Sequence, residues 1–339
     1  MNSKPTIVGT WLLFVAALAL HSHVVTLSRT PPRPAPPQTA VSGGGDERGV
    51  VKAKEFIDSR PGEGSPHAGR YRSRRQIPPG RSYAAVGVTI GRGRPATGAE
   101  AGDRSAAKVR LRDGSEYVLE RIPDNTAVTD GTLLQMIVEY LAHRDAAGKS
   151  LSDAVGYLYV INREQYPDGR YGPPKLIFPT RRTYGGDGRV LPGKTVTLPV
   201  PDRAWKVSRS SSGAAQAFET YTIIISPKPL MDSSGRELQR GGLGEGSLTL
   251  DDKLVDRWER LWGGGEWRGE LEDGAGQLIT QREQNASGDP ARSERSTDEE
   301  SSDLTKGDAP PQLIFRKVLN PGGTMLVTVR LPFKDKLHD

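Results

Sequence analysis

Short apolar stretches recur along most of this chain, separated by Gly- and Pro-containing turns, and their alternation predicts strands rather than helices. Val86, Val88 and Ile90 share one face of a first extended segment. Lys108-Val109-Arg110-Leu111-Arg112 alternates strictly, and Asp113-Gly114 then turns the chain into Tyr117-Val118-Leu119, the signature of a tight hairpin. Thr132 to Ala142 is apolar at a periodicity that suits either helix or strand; the preceding Asp130-Gly131 turn and the strand-rich surroundings favour strand. Gly156 to Ile161, Lys175 to Phe178, Thr195 to Leu198, Ala204 to Ser208 and Thr220 to Ile225 add further strands, two of them stopped by Pro179 and Pro227. Leu313-Ile314-Phe315 and the alternating Met325, Val327, Val329 and Leu331 flank Asn320-Pro321-Gly322-Gly323, which predicts a closing hairpin over 312–332.

One helix stands out over 250–262. Leu250, Leu254, Trp258 and Leu261 recur at helical spacing, Val255 and Trp262 widen the stripe, and Gly263 supplies a stop. Thr249 with Asp252 reads as a capping-box-like start. The polar, acidic run over 284–309 reads as a loop. The fold class expected is mainly β: an antiparallel sandwich or barrel-like domain over 82–335 with one accessory helix.

The first 81 residues have another character. After Lys4, Ile7 to Leu20 is apolar, followed by Pro31-Pro32, Pro34, Pro36-Pro37 and Gly43-Gly44-Gly45. A positive start and an apolar run of this length mark an export segment over 1–28, with an N-terminal apolar helix. Ala17-Leu18-Ala19 resembles a cleavage pattern but lies inside the run, and residues 6–27 are long enough to span a bilayer. Cleaved signal and uncleaved anchor both remain open. Residues 29–81 lack the large apolar residues a core needs and read as a disordered basic linker.

Composition narrows the chemistry. With no cysteine there is no disulfide, thiolate nucleophile or Cys-ligated zinc. The net charge of +6 is unevenly spread: arginines from Arg70 to Arg94 make one stretch basic, and acids from Asp289 to Asp308 make a later one acidic. No recognised nucleic-acid module accompanies the arginines, so no nucleic-acid partner is expected. The five histidines, His21, His23, His67, His143 and His338, show no ligand spacing within the β-rich part.

Gly188-Arg189-Val190-Leu191-Pro192-Gly193-Lys194-Thr195 matches the phosphate-loop pattern letter for letter. Such a loop must open a helix whose amides hold phosphate. Here Thr195-Val196-Thr197-Leu198-Pro199 reads as a strand, so a Pro-Gly turn is the better account. Ser105-Ala106-Ala107-Lys108 matches a penicillin-recognising motif, but Lys108 begins a strand. Asp168-Gly169 and Asp187-Gly188 have calcium-type chemistry and also that of ordinary turns. Trp258, Trp262 and Trp267 form the candidate contact surface, with packing of the helix on a sheet as the alternative. No catalytic constellation, cofactor or metal site emerges.

Gly156-Tyr157-Leu158-Tyr159-Val160-Ile161-Asn162-Arg163-Glu164-Gln165, Lys175-Leu176-Ile177-Phe178-Pro179-Thr180, Arg189-Val190-Leu191-Pro192-Gly193-Lys194 and Glu219 to Pro227 occur in an order that resembles the bacterial domain-of-unknown-function family numbered 4384. The resemblance covers about 131–230. It implies an envelope or multidomain signalling setting and carries over no functional residues. Many members have Asn where this chain has Gly188, and both tolerate a left-handed turn. The expectation is a non-enzymatic binding or scaffolding domain, tethered or exported beyond the cytoplasmic membrane, with a protein or cell-envelope partner. The alternatives are an envelope hydrolase built from dispersed carboxylates and, more remotely, nucleotide binding at Gly188–Thr195.

Overall fold

The computed structural model describes residues 82–144, 155–191, 193–209, 213–239, 243–263, 268–271, 274–286, 304, 308–309, 311–319 and 323–335. The export segment, the linker, Trp267 and most of the acidic loop lie outside these residues. No helix among them is long and apolar enough to cross a membrane.

The described chain is mainly β and arranged in two antiparallel sheets. The first is organised by β1 (Ser82–Pro95), a strand of 14 residues. Along one edge it pairs with β4 (Leu133–Arg144), from Gly93↔Leu133 to Tyr83↔Arg144. Its other edge is divided: Ser82 to Val88 pair with β13 (Leu313–Leu319), while Gly91 to Pro95 pair with β3 (Glu116–Arg121). Neither neighbour covers Ile90. Its N–H donates to the side-chain oxygen of buried Gln312 at 3.0 Å, and its carbonyl accepts from the Ile122 N–H at 3.0 Å. A side chain thus replaces a missing ladder rung, as burial of a backbone donor requires. Beyond β3 lies β2 (Lys108–Arg110), joined by the expected hairpin, in which Gly114 has φ +87°. The strand β4 carries on its far edge β8 (Thr195–Leu198) and β9 (Trp205–Lys206), and β12 (Arg268–Leu271) lies beyond β13.

The second sheet is built on β5 (Gly156–Gln165) and β10 (Phe218–Ser226), which pair from Phe218↔Gln165 to Ser226↔Tyr157. Next to β5 lie β6 (Lys175–Phe178) and β7 (Arg189–Val190), with β11 (Leu248–Thr249) beyond β6. On the other side of β10 lies β14 (Met325–Pro332).

Three apolar layers hold the sheets. Between them, Val86, Val88, Ile90, Met136 and Val138 meet Leu158, Val160, Ile223, Val327 and Val329. The outer face of the second sheet, with Tyr159, Ile161, Ile224 and Leu326, is covered by Val255 and Trp258 of the long helix Asp252–Trp262 and by Leu230, Leu238 and Leu243. On the outer face of the first, Leu119, Leu133 and Ile137 pack against Ile279. Burial on both faces explains why Leu133 to Leu141 and Tyr221 to Ile225 carry apolar residues at successive positions with few polar interruptions, a pattern that suits helix and strand alike.

Three boundaries are corrected. The closing hairpin is not formed: β13 pairs with β1, whereas β14 pairs with β10 in the other sheet. Their alternation reports that one face of each strand is buried, and both do face the same core, but it does not choose the edge each strand joins. The long helix is capped by Asp251, which accepts the Lys253 N–H at 2.8 Å, while Thr249 belongs to β11. The expected loop over 284–309 begins inside a short helix, Gln281–Asn285, capped reciprocally by Thr280 and Glu283. Glu283 also forms a buried ion pair with Arg121, which fastens this helix to β3.

Replacing Gln312 by Ala removes the partner of a buried N–H and is expected to cost about 1–3 kcal/mol. Urea unfolding that shows a lower midpoint with an unchanged slope checks this; an unchanged midpoint refutes it.

Candidate functional site

Of the tryptophans, Trp258 is 6% exposed and belongs to the layer under the long helix. It stacks on half-buried Trp262, with ring centroids 6.0 Å apart and planes at 16°. The i, i+4 spacing therefore places Trp258 in packing, and it is not part of an exposed contact surface. Trp267 lies outside the described residues.

The phosphate-loop pattern is committed to the sheets. Gly188 donates its N–H to Gln239 Oε1 at 3.0 Å and its carbonyl accepts from Leu158 at 2.7 Å. The Arg189 N–H goes to Asp187, the Gly193 N–H to the Tyr140 carbonyl and the Lys194 N–H to Leu191. Thr195 lies on β8, and no helix follows it. With those amides spent, the described residues of this stretch form no phosphate cradle, and the geometry does not support the nucleotide alternative. The reason for Gly188 also changes. It has no positive φ; instead a Cβ there would sit 2.8 Å from the Leu158 carbonyl oxygen, so close approach of β7 to β5 requires glycine.

The other motifs fall into local roles. Asp168 and Asp187 accept the N–H groups two residues ahead, of Arg170 and Arg189, each at 3.0 Å, as turn-forming carboxylates do. Ser105 donates to Asp103 at 2.7 Å and Lys108 is on β2. His143 is near the end of β4. Among the described residues no group of three or more His, Asp or Glu side chains is placed to hold a metal ion.

Two arrangements carry more chemistry. The first is a carboxylate pair. Glu164 on β5 and Glu219 on β10 are cross-strand partners, and both are buried. Glu219 accepts from Asn162 Nδ2 at 2.7 Å and Gln216 Nε2 at 2.5 Å; Glu164 accepts from the Tyr166 hydroxyl at 3.2 Å and Lys175 Nζ at 3.4 Å. Burial pushes the Glu219 carboxyl up to about 7, the two amide donors and Lys175 working against this and the Glu164 charge adding to it. Burial, with the Glu219 charge adding to it, also raises the nearby Tyr221 hydroxyl.

The second is a pocket of about 400 Å³ on the outer face of the second sheet, beside the C-terminal end of the long helix. Its floor follows from strand register. Arg163, Thr220 and Arg330 form one row across β5, β10 and β14, and Ile161, Thr222 and Thr328 form the next. Thr220 is used internally, donating to the Arg163 carbonyl at 2.6 Å. Thr222 and Thr328, directly opposite one another, face the pocket. Glu259 and Gly263 form the helix side, while Phe315 and Leu326 give apolar wall.

Beneath this floor Arg163 is 4% exposed and tethers the helix through Asp256 at 3.3 Å, Glu259 at 3.5 Å and Asp252 at 3.6 Å. Its guanidinium lies 4.5 Å above the Tyr171 ring centroid, and the Tyr171 hydroxyl accepts from Arg330 at 3.4 Å. Burial raises the Glu259 carboxyl, against the pull of Arg163. The pocket thus has an arginine and a carboxylate on its walls, hydroxyls on its floor and an apolar side, a lining that offers donors, acceptors and apolar surface to a polar molecule.

Sequence reasoning missed these residues because they come from three strands, a helix and the β13 segment. One signal was present: Thr328 and Arg330 are polar on the face of β14 whose other member is Leu326. Comparison with protein-family models, curated proteins and solved structures gives no match.

An acid held more protonated in the folded chain than in the unfolded one stabilises the fold at low pH. That contribution disappears as pH rises from the unfolded glutamate value, about 4.3, through the folded value. Glu219 therefore makes stability fall across roughly pH 4.3 to 7, by at most about 4 kcal/mol. Glu219→Gln should flatten that slope and raise the melting temperature at alkaline pH, since the partnerless Oε1 of Gln216 gives the new amide an acceptor. Thermal melts of both proteins across this range measure it; parallel curves exclude Glu219 as the titrating group.

Proposed function

We propose that this chain is an extracytoplasmic binding protein whose β-domain holds a small polar ligand in the pocket between β10, β14 and the long helix. The single observation that carries this reading is the pocket itself. Paired strands and a helix fixed by a buried arginine position its hydrogen-bonding groups, so they are set before a ligand arrives. The apolar run at the N-terminus supports a location beyond the cytoplasmic membrane, either released after cleavage or anchored through residues 6–27. The resemblance of residues 131–230 to domain-of-unknown-function family 4384 supports the same envelope setting, and this stretch includes Arg163, Tyr171, Thr220 and Thr222 of the pocket and its floor.

The hydrolase alternative rests on Glu164 and Glu219. Adjacent buried carboxylates with one held near neutrality are a recognised acid–base arrangement. Here Glu164 is held by Lys175 and Tyr166, and Glu219 is clamped by two amides. The pair reads better as a buried polar link between strands than as a proton-transfer site. A binding or scaffolding role without catalysis is accordingly the preferred reading.

The test is a melt of the full-length chain against a library of small polar compounds, run in parallel on Thr328→Trp, which fills the pocket. A ligand present at about 100 times its Kd adds roughly 2.7 kcal/mol, a shift of several degrees. At least one compound is expected to raise the melting temperature of the unmodified chain, fail to do so in the variant, and be recovered chemically intact. Conversion of the compound, or an equal response in both proteins, would count against the proposal.

A further inference from the structure

We infer that the pocket takes a neutral, polyhydroxylated ring, the chemistry of a saccharide unit. The inference rests on the binding reading above and adds the class of ligand. Charge comes first. Arg163 is opposed by Asp252, Asp256 and Glu259, so it offers no free cation to an incoming anion. Arg330 donates to the Tyr171 hydroxyl at 3.4 Å and lines the same pocket as Glu259, whose burial-raised carboxyl its charge draws down. An anion would gain one arginine but meet the carboxylate of Glu259, and an ammonium would gain Glu259 but meet Arg330. A neutral molecule with both donors and acceptors uses both walls without that cost.

The floor makes the same demand. Thr222 and Thr328 face each other across β10 and β14, and each hydroxyl both donates and accepts. Two such groups one strand apart, flanked by a guanidinium and a carboxylate, match a ligand bearing hydroxyls on successive ring carbons. Planar guanidinium and carboxylate groups bond adjacent hydroxyls in pairs. The remaining wall is apolar, formed by Phe315 and Leu326, with Tyr171 at the rim. A saccharide ring has a C–H face to lay against such a wall and hydroxyl edges for the rest. Phosphate has no such face, and a free amino acid has two full charges to satisfy.

The experiment is calorimetric titration of the full-length chain with neutral disaccharides, cellobiose and N,N′-diacetylchitobiose, alongside glycylglycine and inorganic phosphate. Saturable binding of at least one disaccharide is expected, changing less than about twofold between roughly 50 and 500 mM salt, because no net charge is neutralised. Thr222→Val and Thr328→Val remove a hydroxyl each and should weaken binding about tenfold, with melting temperatures reported beside the affinities to separate this from misfolding. Binding of phosphate or the dipeptide alone, with steep salt dependence, overturns the saccharide assignment while leaving a binding protein. Disaccharide binding untouched by both valine variants overturns it too, as does a failure of every disaccharide to bind. The library melt decides the broader reading independently.

Discussion

β1 has more backbone to satisfy than any single neighbour can cover, and the rest of the domain is arranged around that demand. One edge is taken by β4 along nearly its whole length; the other is divided between β13 and β3. At the fork a buried donor would be left alone, and Gln312 reaches in from just before β13 to meet it. The same fork lets the first sheet curl, because its two halves follow different partners. Backbone hydrogen bonding sets the architecture here, with no covalent cross-link in a chain that contains no cysteine.

The second sheet depends on the first through the shared core and then creates a surface of its own. Its inner face is apolar from Leu158 to Val160 and ends in the Glu164–Glu219 pair, while its outer face changes character along the strands. Tyr159, Ile224 and Leu326 pack under the helix, the next row holds Ile161, Thr222 and Thr328, and the row after that holds Arg163, Thr220 and Arg330. The helix covers the apolar end and is held over the polar end by Arg163 bridging to three acids on its surface. A buried arginine paired with acids that stay partly or largely exposed adds little net stability. Its value lies in fixing where the end of the helix sits, and that placement forms one wall of the pocket.

Much of the architecture was legible in the sequence. Strands β1 to β6 and β8 to β10, the Asp113-Gly114 hairpin and the long helix follow from periodicity and turn chemistry, which act locally. What remained hidden was non-local. Nothing in the alternation of Met325 to Leu331 says that it joins β10 rather than Leu313 to Leu319. Nothing in Gln312 alone shows that it completes a strand fork. The pocket was hidden for the same reason, since Thr222, Glu259, Phe315 and Thr328 become neighbours only through sheet register. Conversely, the sharpest local motif, Gly188 to Thr195, proved to be turn and strand, because matching letters do not supply the helix that a phosphate loop needs.

The crossing of the last two strands between sheets has a consequence for how the molecule comes to exist. Ile90 and Gln312 are 222 residues apart, and β14 forms the last rung beside β10. Neither sheet is complete until β13 and β14 have been made, so this is a topology of high contact order and slow closure. A nascent chain of this design stays open, with apolar strands uncovered, until those two strands follow. That is a hazard for a protein that folds where it is made. For one that must be threaded unfolded across a bilayer it is an advantage, since nothing has to be unravelled first.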